Sequence, residues 1–375
     1  MRAATTALLA TMIFAALAGG VGAVTAAAGS AVGIYVYPMD GASFGVHAAV
    51  RLLTFYGSQY SLEIGLAHNA IDGGVETPSS MCQATANCVA AVNGDYFDVT
   101  NPRRPDPGDE VGGIIRNCVL LHTPEISHQQ ADLDGESVSN NLNWSSALDV
   151  NGVKVPITAV NQELPMSYVG VNVPLRGTLL FTSPYALKTP SARGRVTYEF
   201  ASVDASANPM TINTTVELEL KGRTTQALRV RAGRLDVSAP KESALSSLEV
   251  GGTVSIATDS AAGCDNIGGH PIILDNGVPG TVSPTDSYMN APSARTAIGW
   301  TAQGETVIMT VGGADGESGA TWSQLVAMLQ SLDVTTALDL DGGTSTALFA
   351  NGRLLYPSSR SERQVSTSVL IVQSQ

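Results

Sequence analysis

The chain has 375 residues, a net charge of −13 and only 14% charged residues. That balance excludes a nucleic-acid binder, whose phosphate contacts need basic patches. A single phosphate, held by one arginine and a few amides, stays within its means. The length supports a large core, as one big domain or two interleaved ones.

The first residues predict an export signal over 1–28. Arg2 is the one early charge, an apolar run follows from Ala7 to Val24, and Thr25-Ala26-Ala27-Ala28-Gly29 supply small residues for cleavage. Gly19, Gly20 and Gly22 interrupt the run and argue against a membrane anchor. No later stretch is long and apolar enough to span a bilayer. A secreted or extracytoplasmic protein is therefore expected. Its four cysteines, Cys82, Cys88, Cys118 and Cys264, fit that compartment. Of three possible pairings, the expected one joins Cys82 to Cys88 locally and Cys118 to Cys264 at long range. Zinc is the rival, but the close pair has no histidine at finger spacing. Two sequons, at Asn143 and Asn213, matter only in a eukaryotic host.

Three parts follow the signal. In the first, 29–130, the segment Ala90 to Asp98 predicts a strand running into a polar turn. A Pro-, Arg- and Asp-rich loop from Asn101 to Gly108 reads as a mobile surface loop. Gly113-Ile114-Ile115 and Val119-Leu120-Leu121 read as strands. The middle part, 131–260, is rich in strand patterns. Asn151-Gly152 between Leu148 and Val155 predicts a type I′ hairpin, and Val216 to Leu220 alternates at period 2. No chemistry stands out there. The last part, 261–375, has a turn at Asp275-Asn276-Gly277 and a buried strand over Thr306 to Val311. Thr321 and Gln324 then form a capping-box pattern, before an apolar stripe of Trp322, Leu325, Val326, Leu329 and Leu332. A hairpin at Asn351-Gly352 follows. The whole predicts a strand-dominated α+β fold with few helices and a β-rich intervening region.

Between that helix and that hairpin lies Ala337-Leu338-Asp339-Leu340-Asp341-Gly342-Gly343-Thr344-Ser345-Thr346. On a strand, Asp339 and Asp341 share one face with Ala337, opposite Leu338 and Leu340. The glycines permit a sharp turn and close approach of amides to a ligand. Carboxylates at the end of a buried strand are costly for structure alone. Plain turn chemistry is the bland alternative.

Four segments share this character: Asn93-Gly94-Asp95-Tyr96-Phe97, Ile267-Gly268-Gly269-His270-Pro271, Arg295-Thr296-Ala297-Ile298-Gly299, and the Asp339–Thr346 run. In this order they resemble the phosphodiester glycosidase family over about Val89 to Val372. The resemblance implies hydrolysis of a sugar-1-phosphate diester between the anomeric carbon and the phosphate, in a polysaccharide or glycan at the cell surface. It points to Asn93, Gly94, Gly268, Gly269, Arg295, Thr296, Asp341, Gly342 and Gly343 as the matching positions. Asp339 and Asp95 stand where relatives vary. This chain departs from the family at Ser293-Ala294, Thr344 and Gly312-Gly313.

The chemistry of the residues agrees. A glycosyl phosphate leaves as a stabilised anion, so the site needs a cation or amides on the phosphate and a carboxylate at an oxocarbenium-like centre. Arg295 has the fork for phosphate. Asp341 suits the anomeric carbon, with Asp339 and Asp95 as further catalytic candidates. Amides and hydroxyls of Asn93, Gly94, Gly268, Gly269, Thr296, Gly342, Gly343, Thr344 and Ser345 are candidate substrate contacts. His270 reads as structural. No cofactor is required; Asp95, Asp98, Asp339 and Asp341 are the oxygen ligands that would suit Ca²⁺ or Mg²⁺. The alternative class is a non-catalytic carbohydrate or cell-envelope binding protein on the same fold.

Overall fold

The computed structural model describes residues 33–374, apart from 58, 99–107, 125–126, 163–176, 314–317 and 358–360 and the side chains of 356–357. The export signal and the loop 101–107 lie outside the described residues. The chain is strand-dominated with few helices: three α-helices are found among the described residues, Pro78–Ala84, Ser287–Asn290 and Trp322–Gln330.

A seven-stranded antiparallel sheet runs in the order Tyr35–Met39, Val50–Tyr56, Glu305–Val311, Arg295–Thr301, Val334–Asp339, Ile272–Asp275, Val278–Pro279. Its two faces are sorted by the period-2 rule. Leu53, Ile298, Ile308, Leu338 and Leu340 enter one apolar cluster, while Leu52, Met309 and Ala337 enter another under the helix Trp322–Gln330. That helix starts at the expected capping box: Thr321 accepts from the Gln324 amide, and the Gln324 side chain accepts from the Thr321 amide. Leu325, Val326 and Leu329 form its buried face, with Trp322 and Leu332 partly buried.

A five-stranded sheet packs on the first cluster, in the order Arg353–Pro357, Ala347–Ala350, Cys88–Asn93, Thr367–Gln373, Tyr60–Leu66. Val334–Asp339 belongs to the seven-stranded sheet and Ala347–Ala350 to the five-stranded one. The Asp341-Gly342-Gly343 turn is therefore the crossing between two packed sheets.

Another five-stranded sheet orders Ser137–Ser139, Gln129–Asp132, Asn266–Gly269, Ile114–Arg116, Val119–His122. From it the chain leaves into a closed seven-stranded barrel, Trp144 to Ser260, with its own apolar interior. Val216, Leu218 and Leu220 are buried there, as their alternation predicts. Three of the four Asn-Gly pairs have both residues at positive φ: Asn151 and Gly152, Asn276 and Gly277, Asn351 and Gly352; the fourth, Asn93-Gly94, does not. Both disulfides are as expected, Cys82–Cys88 and Cys118–Cys264. No helix among the described residues is long and apolar enough to cross a membrane.

Candidate active site

Three of the four motif segments meet at Asn93, and the fourth joins them through the His270 carbonyl, which accepts from Tyr96 Oη at 3.0 Å. Asn93 is fully buried, and all its polar capacity is spent on joining the two sheets. Its Oδ1 accepts from Thr296 Oγ1 at 2.8 Å and from the Ala347 amide at 3.2 Å, and its Nδ2 donates to the Asp341 carbonyl at 2.6 Å. Gly94 completes the junction: its carbonyl accepts from the Asp341 amide at 3.0 Å and its own amide donates to Thr367 O. Asn93, Gly94 and Thr296 thus hold the turn in place, and their expected role as substrate contacts is corrected to this one.

The turn so held projects Asp341, Gly342, Gly343 and Thr344 into a cavity of about 560 Å³. Tyr96, Ser127, His128 and His270 form another wall, with Asp286, Tyr288, Met289, Val111 and Arg363. Gly343 takes φ +57, and a methyl group at Gly342 would sit 2.6 Å from Ala294 O and 2.8 Å from Tyr288 Oη. Both glycines are therefore demanded by backbone geometry.

Asp341 is half-buried and forms no ion pair within 4 Å among the described residues. Burial pushes its carboxyl up to about 6, against hydrogen bonding from Ser345, the charge of Arg363 and the Gly342 amide. Arg363 Nη1 donates to Thr344 Oγ1 at 2.8 Å and to Ser345 Oγ at 3.0 Å, and its guanidinium lies 5.3 Å from the Phe97 ring. Arg363, Ser345 and Asp341 thus form one polar chain along the cavity edge.

Arg295 sits elsewhere. It is 1% exposed and does not line the cavity. Its Nε donates to Ala320 O at 3.2 Å, and Nη2 to the carbonyls of Tyr288 at 2.8 Å and of Met289 and Ala291 at 3.2 Å. It lies 4.9 Å beneath the Tyr288 ring. The guanidinium therefore caps the short helix Ser287–Asn290 from below and supports Tyr288. The phosphate contact expected of it is corrected: its fork is directed at main-chain carbonyls.

Asp339 ends its strand, 1% exposed, with both oxygens lacking hydrogen bonds and Arg295 Nη1 at 3.7 Å. Burial pushes it up to about 8, which the Arg295 charge opposes and the Asp341 charge reinforces. It lies outside the cavity lining, so it acts on the site through Asp341 and Arg295 rather than by contact.

Asp95 also lies behind the wall. Its Oδ1 accepts from His128 Nε2 at 2.9 Å and from the Tyr96 amide at 2.7 Å. A methyl group on Gly112 or Gly268 would run into its Oδ2. Gly268 thus makes room for Asp95. A methyl group on Gly269 would sit 2.6 Å from Asp339 O and from Leu338 Cδ2. Neither glycine lines the cavity, which corrects their assignment as substrate contacts.

Sequence reasoning missed His128 and Arg363 and set His270 aside, although its ring lines the cavity. The available signal was scarcity: the chain has five histidines, and Arg363 follows the Asp-Gly-Gly turn by one hairpin. Of the proposed oxygen ligands, Asp341 lines the cavity while Asp95 and Asp339 do not. Among the described residues the carboxylates close enough to share one cation are instead Asp72, Asp109 and Glu110, within 4.8 Å of one another.

Comparison with known proteins bears on the class. Residues 200–372 match the phosphodiester glycosidase family, which shows the resemblance over the stretch that holds three of the four motifs. N-acetylglucosamine-1-phosphodiester alpha-N-acetylglucosaminidase of Mus musculus is 35% identical over 92 residues, 22% of this chain and 18% of that protein. The match therefore spans less than a fifth of the relative's length. Two solved structures share the fold. A hypothetical protein from Synechocystis has a TM-score of 0.66 at 17% identity, covering 91% of this chain and 61% of that one. A protein from Burkholderia pseudomallei has a TM-score of 0.65 at 19% identity, covering 87% and 74%.

Proposed function

We propose that this chain is an exported hydrolase that cleaves a sugar-1-phosphate diester, in a cell-surface polysaccharide or glycan, at the Asp341 cavity. The observation that carries this reading is Asp341 itself. It is a carboxylate in a concave cavity, free of any ion pair among the described residues, with Arg363 on the same cavity wall. A binding protein on the same fold would have no need to keep such a group unpaired at the cost of its desolvation. The family match and the glucosaminidase relatives support a glycosyl phosphodiester as substrate. Two disulfides support an oxidising compartment.

In this reading Arg363 binds the phosphate with the guanidinium edge left over from Thr344 and Ser345. Asp341 faces the anomeric carbon, where positive charge develops as the C1–O bond breaks. Tyr288 and Tyr96 offer ring faces to the sugar. Asn93, Thr296, Arg295 and Asp339 hold this arrangement from behind.

The test is release of free sugar from a panel of sugar-1-phosphate diesters. Asp341→Asn keeps shape and removes the anion, so kcat should fall by about 10²-fold or more, with KM little changed because the lost interaction belongs to the transition state. Release by Asp341→Asn at the wild-type rate would place the chemistry elsewhere.

A further inference from the structure

One ionisable pair on the cavity wall has no part in the scheme above. Asp95 and His128 are 4% and 6% exposed, and Nε2 meets Oδ1 at 2.9 Å. The carboxylate cannot turn away. Its Oδ1 also holds the Tyr96 amide, and Oδ2 fills the slot left by the absent side chains of Gly112 and Gly268. With Nε2 committed to Asp95, Nδ1 of His128 has no hydrogen-bond partner among the described residues and is not one of the orphaned buried atoms. His128 lines the cavity that also holds Asp341 and Arg363. A buried carboxylate that fixes one ring nitrogen of a cavity-lining histidine, with the other left unpartnered among the described residues, is the arrangement of an imidazole held ready for proton transfer.

On the reading of the site as a phosphodiester glycosidase, we propose that His128 is its general acid, donating a proton from Nδ1 to the departing phosphate, and that Asp95 is the residue that positions it. The step balances. As the C1–O bond breaks, its electron pair goes to the bridging oxygen, which takes the Nδ1 proton. Water adds to C1 and gives its proton to the Asp341 carboxylate. The products are free sugar and a phosphate monoester monoanion, and proton exchange with solvent resets both groups.

Several charges face the imidazole. Asp95 stands on the turn after Cys88–Asn93, with the Tyr96 ring edge-on at 6.3 Å. His270 lies 6.3 Å away. His122 is on the strand behind, its Nδ1 on Gly112 O at 2.7 Å. Burial alone would pull the His128 pKa down; the Asp95 charge and hydrogen bond outweigh it, and the net shift is upward. Burial holds His122 down at about 4 and lowers His270, the opposite direction to the shift at His128.

The test compares His128→Ala and Asp95→Asn on the methyl phosphate diester and the 2,4-dinitrophenyl glycoside of one sugar. The second leaving group needs no proton. His128→Ala should lower kcat on the diester by about 10²- to 10⁴-fold and on the dinitrophenyl glycoside by a few-fold. Added imidazole should restore the diester rate. Asp95→Asn should move the alkaline limb of the kcat profile to lower pH, with KM unchanged. Equal losses on both substrates without rescue would overturn the proposal, as would unchanged kcat in both variants.

If the wild-type protein cleaves no diester, the activity fails rather than the dyad. ¹⁵N NMR of His128 then decides. The ring should titrate at higher pH than a free imidazole, drop on Asp95→Asn, and respond at Nδ1 to inorganic phosphate. A ring that titrates as a free imidazole and ignores phosphate would refute the dyad as well.

Discussion

Replacing Arg295 with lysine separates a structural arginine from a ligand-binding one. The guanidinium donates to four main-chain carbonyls, those of Ala320, Tyr288, Met289 and Ala291. Nε and Nη2 reach two separate segments, and an ammonium group has no planar fork to span both. Lysine keeps the charge and retains at best part of this set. Hydrogen bonds to a charged group contribute about 1.5–3 kcal/mol each. Losing two of the four therefore costs about 3 kcal/mol or more. The deficit falls on the turn that carries Tyr288. The assay is urea unfolding together with competitive inhibition by inorganic phosphate, run beside Arg363→Lys. Arg295→Lys should lose about 3 kcal/mol while its phosphate affinity changes by a few-fold. Arg363→Lys should stay within about 1 kcal/mol of wild type, as expected for a partly exposed group, and lose about tenfold in phosphate affinity. An Arg295→Lys protein of wild-type stability and weakened phosphate binding would show that Arg295 reaches the ligand, and would refute the assignment.

Two further predictions concern pH. Asp341 must be ionised to act, so kcat/KM should rise as pH passes about 6; Arg363→Gln removes a charge that holds this carboxyl down, and should move the acid limb to higher pH in a pH–rate profile. Asp339 is raised in the folded protein to about 8 from an ordinary carboxylate value, so the folded state binds the extra proton between about pH 4 and pH 8. Its contribution to stability is present at the acid end and lost as pH rises through that window; Asp339→Asn should flatten the corresponding fall in thermal melting temperature, and an unchanged slope would show that Asp339 is not the group responsible.

The local signals in the sequence were reliable because they are local. The pairs Asn151-Gly152, Asn276-Gly277 and Asn351-Gly352 take positive φ at both residues and form the expected turns, while Asn93-Gly94 does not. The Thr321/Gln324 capping box and the two disulfides are equally direct. The strand order and the closed barrel were not legible, since period-2 alternation says which face is buried and nothing about which strand lies alongside. The site divides in the same way. Asp341-Gly342-Gly343 was legible as a sharp turn with a carboxylate. Arg295 was misread because a motif shows that an arginine is required and does not show where its fork points. Arg363 and His128 were missed because neither belongs to a motif segment; each reaches the Asp341 cavity only in the folded chain.

That packing explains why a barrel can be inserted within the site without disordering it. The walls of the cavity come from chain segments on both sides of the barrel: Tyr96, Val111 and His128 before it, His270 and Asp341 after it. Asn266–Gly269 must return to lie between Gln129–Asp132 and Ile114–Arg116, with Gly268 opposite Gln130 and Asn266 opposite both Asp132 and Ile115. A slip by one residue would turn a side chain into the Asp95 slot in place of Gly268. The Cys118–Cys264 bond fixes this register where the chain returns from the barrel. Cys118 sits in the turn between Ile114–Arg116 and Val119–His122, its amide donates to the Cys264 carbonyl at 2.8 Å, and Cys264 lies two residues before Asn266. A loop of 146 residues is closed by that bond, where the entropy removed from the unfolded chain is of the order of 5 kcal/mol. The staple therefore acts on catalysis through register: it keeps a glycine where the Asp95 carboxylate needs space, and so keeps His128 turned toward the cavity.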